Sequence, residues 1–534
     1  MPSGRHPGGR QRAVLALACA AQFMVVLDIS VVNVALPSIQ RALGFDDSGL
    51  QWVINAYALT FAGFLLLGGR FADLFGRKRV FVLGLVLFSG ASLAGGLANS
   101  APLLIVARAV QGVGAAVLAP ATLTVLTTTF AEGAARARAL AIWTAVGIAG
   151  GTAGNLIGGV LTEFLSWRSI LLINVPIGAI AILLTARSLT PDDEAGRRGR
   201  LDVAGAMLAT GGLAALTYGI AHANDDGWAA PSTITALTGG AAAVALFIVV
   251  EARFARAPLI PLRLFRSRAI SAGNVAMVLA GACLNPMWYF LTLYMQTTLH
   301  YSPVQTGLGF LPHTLVAIVI GVRVTPWLMR RLDNRALIVA GAVIAAAGFW
   351  WQSRSTADSG YLSGILGPAI VFSTGSALLN TPITTTVTSG IDAKDAGAAS
   401  GLMNTTKQFG GALGLAVLVT ITGNHLDTPP APAAAYGRAF LTIAAILVAV
   451  AVVALTLPDS GRPGPPASRE PRTPRHDLGH AQDHEHPPHP GGRQRRILRR
   501  HQGRSRAQQR GQLRLVEQPG LGQLPPLRPG VITG

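Results

Sequence analysis

The chain has 534 residues, of which 51% are hydrophobic and 13% charged, with a formal net charge of +19. A soluble domain carries about 25% charged residues, so this composition excludes an ordinary soluble protein and predicts a polytopic helical membrane protein. The basic excess does not point to nucleic acid, because 14 Arg against 6 Asp or Glu lie from Pro458 onward and most of the remainder falls in short loops.

Arg5, Arg10 and Arg12 precede an apolar run that is too long for the core of a cleavable signal peptide and has no small-residue cleavage site, so it is expected to remain as the first span. Apolar stretches of about 20 residues, the length that crosses roughly 30 Å of hydrocarbon, recur at 13–36, 50–68, 80–98, 102–130, 138–161, 169–186, 203–221, 233–251, 270–295, 305–328, 336–352, 361–388, 398–422 and 438–457. The sequence therefore predicts an all-α protein with 14 transmembrane helices. With the N-terminus in the cytoplasm, 22 Lys and Arg fall in inside segments, and only Arg41, Arg168, Arg354 and Arg438 in outside loops. Omitting one span would flip every later loop, so this alternation supports the count and places both termini in the cytoplasm.

The longest inside loops, "TPDDEAGRRGRLD" (190–202) and "RFARAPLIPLRLFRSR" (253–268), bracket the seventh and eighth spans. The expected plan is a cytoplasmic N-terminus (1–12), a six-helix bundle (13–187), central loops with two extra helices (188–268), a second six-helix bundle (269–457) and a disordered basic tail (458–534). "GIAGGTAGNLIGG" (147–159) and "GLMNTTKQFGGALG" (401–414) hold matching places in the two halves. Paired halves with glycine-interrupted helices point to a secondary transporter whose site lies between them.

A charge in hydrocarbon is costly unless paired or wet, so each one is a functional candidate. Asp28 lies about 15 residues into the first span, roughly 22 Å from the cytoplasmic side, and Arg108 about 9 Å into the fourth span from the outside. The two match in level. Burial favours the neutral form of a carboxylate and a nearby guanidinium favours the charged form, so a carboxylate under both influences is poised to exchange a proton. Asp28 and Arg108 are read as a coupling pair, with a structural ion pair as the alternative. Gln111 shares the helical face of Arg108; Gln22 and Asn33 stack on another face of the first span. Lys407, with Asn404 and Gln408 nearby, is the charge of the second half, and Arg323 is expected to snorkel. These amides and Lys407, with Asn155, are candidate cavity residues. Gly147, Gly150, Gly151, Gly154, Gly158 and Gly159 form a small-residue face for close helix packing.

Cys19 and Cys283 both fall within spans, which argues against a disulfide or a cysteine metal site. The histidine-rich "HDLGHAQDHEHPPH" (476–489) is read as solvated tail rather than a metal site. No phosphate-binding loop or catalytic constellation is present in the sequence, so neither an ATP-driven pump nor an enzyme is expected, and no cofactor or metal. Trp288, Tyr289 and Tyr294 suggest an apolar or aromatic ligand, although aromatics near span ends also anchor helices at the interface.

"GRFADLFGRKR" (69–79) resembles the loop signature of the major facilitator superfamily through Gly69, Asp73, Gly76, Arg77 and Lys78, with Asp73 expected to cap a helix start. "LLIVARAVQGVGAA" (103–116) resembles the family's fourth-span signature around Arg108, Gln111, Gly112 and Gly114. "LDISVVNVALP" (27–37), "SWRSILLINVPIG" (166–178) and "GLMNTTKQFGGALG" resemble marks of its fourteen-helix drug:proton antiporters. One departure stands out: Asn155 occupies the place where the antiporter glycine motif usually carries proline. The resemblance implies two six-helix bundles plus two central helices, a gating role for the 69–79 loop, and proton coupling through Asp28 and Arg108. It implies proton-driven efflux of amphipathic small molecules, antibiotics or drugs, from a monomer in the cytoplasmic membrane, with the proton as coupling ion and no nucleic-acid partner. The alternatives are an uptake symporter, an exporter of an endogenous lipid or metabolite, and a non-transporting sensor or scaffold.

Overall fold

The computed structural model describes residues 7–131, 133–188, 202–254, 259–260, 262–389, 391, 396–422 and 432–458. Every regular element among them is helical. The main rods are α1 (Pro7–Leu43), α2 (Trp52–Phe75), α3 (Arg77–Gly96), α4 (Ala101–Thr129), α5 (Ala134–Phe164), α6 (Asn174–Ser188), α7 (Val203–Asp226) and α8 (Pro231–Val249). They continue as α9 (Arg268–Thr298), α10 (Pro303–Met329), α11 (Asn334–Gln352), α12 (Leu362–Thr388), α13 (Ala396–Thr422) and α14 (Pro432–Ala454). Among the described residues, 12 helices are long and apolar enough to cross a membrane. The expected spans 50–68 and 398–422 fall on the two remaining rods, α2 and α13; α13 is diluted by Asn404, Lys407 and Gln408. The protein is an all-α polytopic membrane protein. Helices overrun the expected spans, as where α5 takes in Arg136 and Arg138, because apolar length measures the hydrocarbon and backbone hydrogen bonding continues beyond it. The expected tail, 458–534, lies outside the described residues apart from Pro458.

Helix α1 packs against α5, α4 and α6; α4 packs against α2 and α3. In the second half α11 packs on α12 and α14, and α9 on α13, α14 and α12. α7 and α8 pair with each other, and α7 reaches both α2 and α13, where the Thr420 hydroxyl donates to the Ile220 carbonyl at 2.8 Å. The halves meet along α2–α13 and α5–α10. Proline interrupts the helices of the second half: α9 breaks at Asn285 before Pro286, and α10 at Phe310 just ahead of Pro312, because proline has no backbone donor.

The glycine face of α5 is where close approach is obligatory. A Cβ at Gly158 would lie 2.9 Å from Val31 Cα of α1, and one at Gly159 2.5 Å from the Pro303 carbonyl oxygen of α10. Asn155, where the antiporter motif usually has proline, keeps its backbone donor, and α5 runs unbroken from Ala134 to Phe164. The 69–79 stretch is mostly helix rather than loop. Only Gly76 leaves helical geometry, at φ +86°, a region glycine reaches without strain. Asp73 lies in the last turn of α2, three residues before Gly76, which holds the N-cap position of α3; its side chain is outside the described residues. Gly69 lies within α2, and Arg77 opens α3. Lys78 Nζ donates to the Ala186 carbonyl at 3.1 Å, a cation at the C-terminal end of α6 where the helix dipole favours it.

These distances separate two neighbouring glycines. Gly158→Ala is expected to destabilise the detergent-solubilised protein by about 1–3 kcal/mol through overpacking against α1. Gly151→Ala, whose Cβ would meet nothing nearer than 3.6 Å, is expected to be neutral or to stabilise by up to about 1 kcal/mol through helix propensity. Thermal unfolding checks both, and equal shifts would refute the close-approach argument.

Candidate functional site

Side-chain direction on α1 sends Asp28 into the N-terminal half, where it is 0% exposed, and α4 sends Arg108, 2% exposed, to meet it. Arg108 Nη1 donates to Asp28 Oδ2 at 2.6 Å. Gln111, one turn along α4, donates to Asp28 Oδ1 at 2.6 Å, and Asn174 at the start of α6 donates to the same oxygen at 2.9 Å. Gln111 Oε1 accepts from Arg108 Nη1 at 2.7 Å, and Arg108 Nε donates to the Val53 carbonyl of α2 at 3.0 Å. Ser92 of α3 closes the group: its hydroxyl donates to the Phe88 carbonyl, which leaves its oxygen to accept from Gln111 at 2.8 Å and from Asn174 at 3.3 Å.

Arg108, Gln111 and Asn174 all donate to Asp28, the pattern an ionised carboxylate accepts, and the charge is balanced inside the cluster. A buried ion pair survives desolvation only with such supplementary hydrogen bonds. Protonating Asp28 would remove its negative charge and take up its remaining acceptor site, which weakens its hold on Arg108, Gln111 and Asn174. The Arg108 guanidinium carbon also lies 4.5 Å from the centroid of the buried Tyr57 ring, a cation–π contact.

A cavity of about 130 Å³ lies between the halves, lined by Asn33, Tyr57 and Arg108 from one side and by Asn285, Trp288 and Gln408 from the other, with apolar residues between them. Asn285 Nδ2 donates to Gln408 Oε1 at 3.1 Å. Asp28 itself does not line the cavity; Arg108 and Tyr57 stand between them.

The expected cavity residues divide. Asn33 and Gln408 line it. Gln111 does not, because the carboxylate claims its amide. Asn155 is buried where α5 meets α10, with its carbonyl facing Gly307. Gln22 lies beside Gly147. Asn404 is exposed and donates to the Ser400 carbonyl at 3.0 Å. Lys407 is half-buried; its backbone packs on Gly281 of α9, about a quarter-turn from the Gln408 face. Arg323 is exposed. Of the aromatic candidates only Trp288 reaches the cavity; Tyr289 is core, and the Tyr294 hydroxyl donates to the Thr356 carbonyl at 2.9 Å. Sequence reasoning missed Ser92, Tyr57 and Asn174. Asn174 had a signal, as a lone amide within "SWRSILLINVPIG".

Removing one partner of the pair strands the other. Arg108→Ala is expected to destabilise the protein by about 3–5 kcal/mol, and adding Asp28→Asn to it should recover much of that loss. Thermal unfolding of the single and double variants reads the difference.

A family model described as the Major Facilitator Superfamily matches residues 18–415. The chain is 57% identical over 454 residues to the cephamycin export protein of Amycolatopsis lactamdurans, covering 85% of this chain and 93% of that protein. It is 40% identical over 468 residues to a puromycin resistance protein of Streptomyces alboniger, covering 85% and 92%. It is 35% identical over 420 residues to a tetracenomycin C resistance and export protein of Streptomyces glaucescens, covering 78% and 77%. Among solved structures, a peptide transporter in complex with sulfate aligns at a TM-score of 0.60 and 18% identity, covering 83% of this chain and 95% of that one. That likeness is one of fold.

Proposed function

The chain belongs to the major facilitator superfamily and is a multi-pass membrane transporter, and we propose that it exports antibiotics or similar amphipathic small molecules across the cytoplasmic membrane in exchange for protons. The names of its relatives support antibiotic export as the direction and substrate class. The proton coupling rests on one observation: a wholly buried Asp28, ion-paired to Arg108 and supported by Gln111 and Asn174. On this reading the protein crosses the membrane fourteen times, as two six-helix halves plus α7 and α8. Both termini lie in the cytoplasm, and the chain works as a monomer in lipid with the proton as its coupling ion and no other cofactor.

In the proposed cycle the antibiotic enters between the halves from the cytoplasm or inner leaflet and contacts the cavity side of Arg108 and Tyr57. A proton arriving from outside neutralises Asp28 and loosens its hold on Arg108. The change is felt at the cavity through those two residues, so proton and substrate bias the halves in opposite directions. Pockets that hold drug-sized ligands span about 300–1,000 Å³, well above the present cavity of about 130 Å³, so the halves must part to admit one. On the side assigned to the exterior they are closed. Gln296 Nε2 donates to the Val34 carbonyl at 2.8 Å, and Glu163 Oε2 accepts from Val304 N, also at 2.8 Å.

Everted vesicles containing the protein, energised with an acidic lumen, are expected to accumulate cephamycin or puromycin, with proton exit from the lumen on drug addition. Asp28→Asn is expected to reduce accumulation to the level of vesicles lacking the protein. Drug movement in the same direction as protons would instead indicate a symporter, and undiminished exchange by the variant would remove Asp28 from the mechanism.

A further inference from the structure

The N-terminal charge cluster has a counterpart across the cavity. Its key side chains come from the first, second and fourth helices of its half: Asp28 on α1, Tyr57 on α2 and Arg108 on α4. The first, second and fourth helices of the other half, α9, α10 and α12, bring together Trp288, His313 and Ser373. His313 is 8% exposed. Its ring lies 4.8 Å from that of Trp288, edge to face, and 5.1 Å from that of Phe372. Trp288 forms part of the cavity wall, so one aromatic ring separates this imidazole from the transport pathway.

The hydrogen bonds fix the ring's chemistry. His313 Nδ1 lies 2.5 Å from Ser373 Oγ. The Ser373 hydroxyl has one proton, donated to the Ala369 carbonyl within α12, so at Nδ1 it serves as acceptor. The neutral ring therefore carries its proton on Nδ1 and presents a lone pair at Nε2. Among the described residues Nε2 makes no hydrogen bond. The surroundings are Trp288 from α9 and Phe372 and Ser373 from α12, none of them an acid or a base in the physiological range. The next charge on its own helix is Arg323, ten residues on, or about 15 Å along the axis. An imidazolium formed here has no carboxylate partner among the described residues, but it has two aromatic rings within the distance of cation–π contacts and a hydroxyl oxygen already placed on the other nitrogen.

We propose that His313 is a second proton-binding site of the transporter, set across the cavity from the Asp28–Arg108 pair and loaded at Nε2, so that each cycle moves about two protons rather than one. This rests on the proton-antiport reading above. With proton sites in both halves, each half carries a group whose charge changes during the cycle, and Arg108–Tyr57 on one side and Trp288 on the other report those changes to the same cavity.

The test uses the full chain in proteoliposomes containing a trapped pH dye, with radiolabelled cephamycin or puromycin as probe. His313→Asn keeps an N–H donor where Nδ1 stands and removes the titrating nitrogen. Protons counted per substrate are expected to fall from about two to about one, and the slope of log rate against pH to fall in step. Ser373→Ala, which leaves the ring able to titrate, is expected to move the pH dependence without lowering the proton count. If His313→Asn does not fold, His313→Gln supplies the same reading. A wild-type protein that moves no protons sinks the antiport reading as a whole. A wild-type protein that does, matched proton for proton by the His313 variants, overturns the second site alone.

Discussion

A buried carboxylate and guanidinium 2.6 Å apart are the constraint on which the N-terminal half is built. Each charge alone would be very costly at that depth; together they are tolerable only because the remaining lone pairs and N–H groups have partners. Three further helices contribute to this balance, and the pair's own α4 adds another partner. α2 offers the Val53 carbonyl and the Tyr57 ring, α3 the Ser92 oxygen, α4 the Gln111 amide beside Arg108, and α6 the Asn174 amide. The cluster is thus a junction of α1, α2, α3, α4 and α6. A change in its protonation cannot stay local, because every partner sits on a different rod or shares a hydrogen bond with one that does.

For such a change to move the halves, the rods must behave as rigid pieces. The glycine face of α5 supplies that property. At Gly154 and Gly158 the backbone lies directly on Ser30 and Val31 of α1, only one turn beyond Asp28, so α1 and α5 move as a unit. At Gly159 and Gly307 the same helix lies against α10 of the other half, carbonyl to glycine in both directions. That contact is backbone against backbone at the glycines and is clasped at its end by Glu163, whose Oε2 accepts from Val304 N. Asn155 shows that the face does not depend on a proline bend, since α5 is straight enough to hold both contacts with its backbone ladder unbroken.

What was legible in the sequence follows from what hydrocarbon measures. Span positions were readable because apolar length tracks membrane thickness, and the common level of Asp28 and Arg108 was readable because helix rise is constant. Azimuth was not readable. Gln111 was correctly placed on the face of Arg108, but whether that face met the cavity or another helix depended on how α4 is rotated against α1, which no local pattern encodes. Ser92 was invisible for a related reason: uncharged polar residues are common in spans, and only the partner across the interface distinguishes a structural serine from one that supports a carboxylate's donors. Helix α2 runs to Phe75, about two turns beyond the apolar span, so Asp73 falls within a helix where the apolar pattern suggested a loop. Lys407 drew notice as a charge, yet Gln408 next to it is the residue that turns into the cavity.

The separation between Asp28 and the cavity bears on how coupling works. If the carboxylate lined the cavity, substrate and proton would compete for one surface, and only cationic substrates would sense it directly. Instead the cavity meets the charge cluster through the back of Arg108 and the Tyr57 ring, so the substrate senses the position of a guanidinium rather than the presence of a proton. On the proposed antiport reading, recognition falls largely to amides and apolar side chains, which suit molecules of varied shape and charge, while the carboxylate that exchanges the proton stays behind Arg108 and out of the substrate's reach. A transporter built this way can change what it carries by altering the wall around Asn33, Trp288 and Gln408 and leave the proton machinery intact.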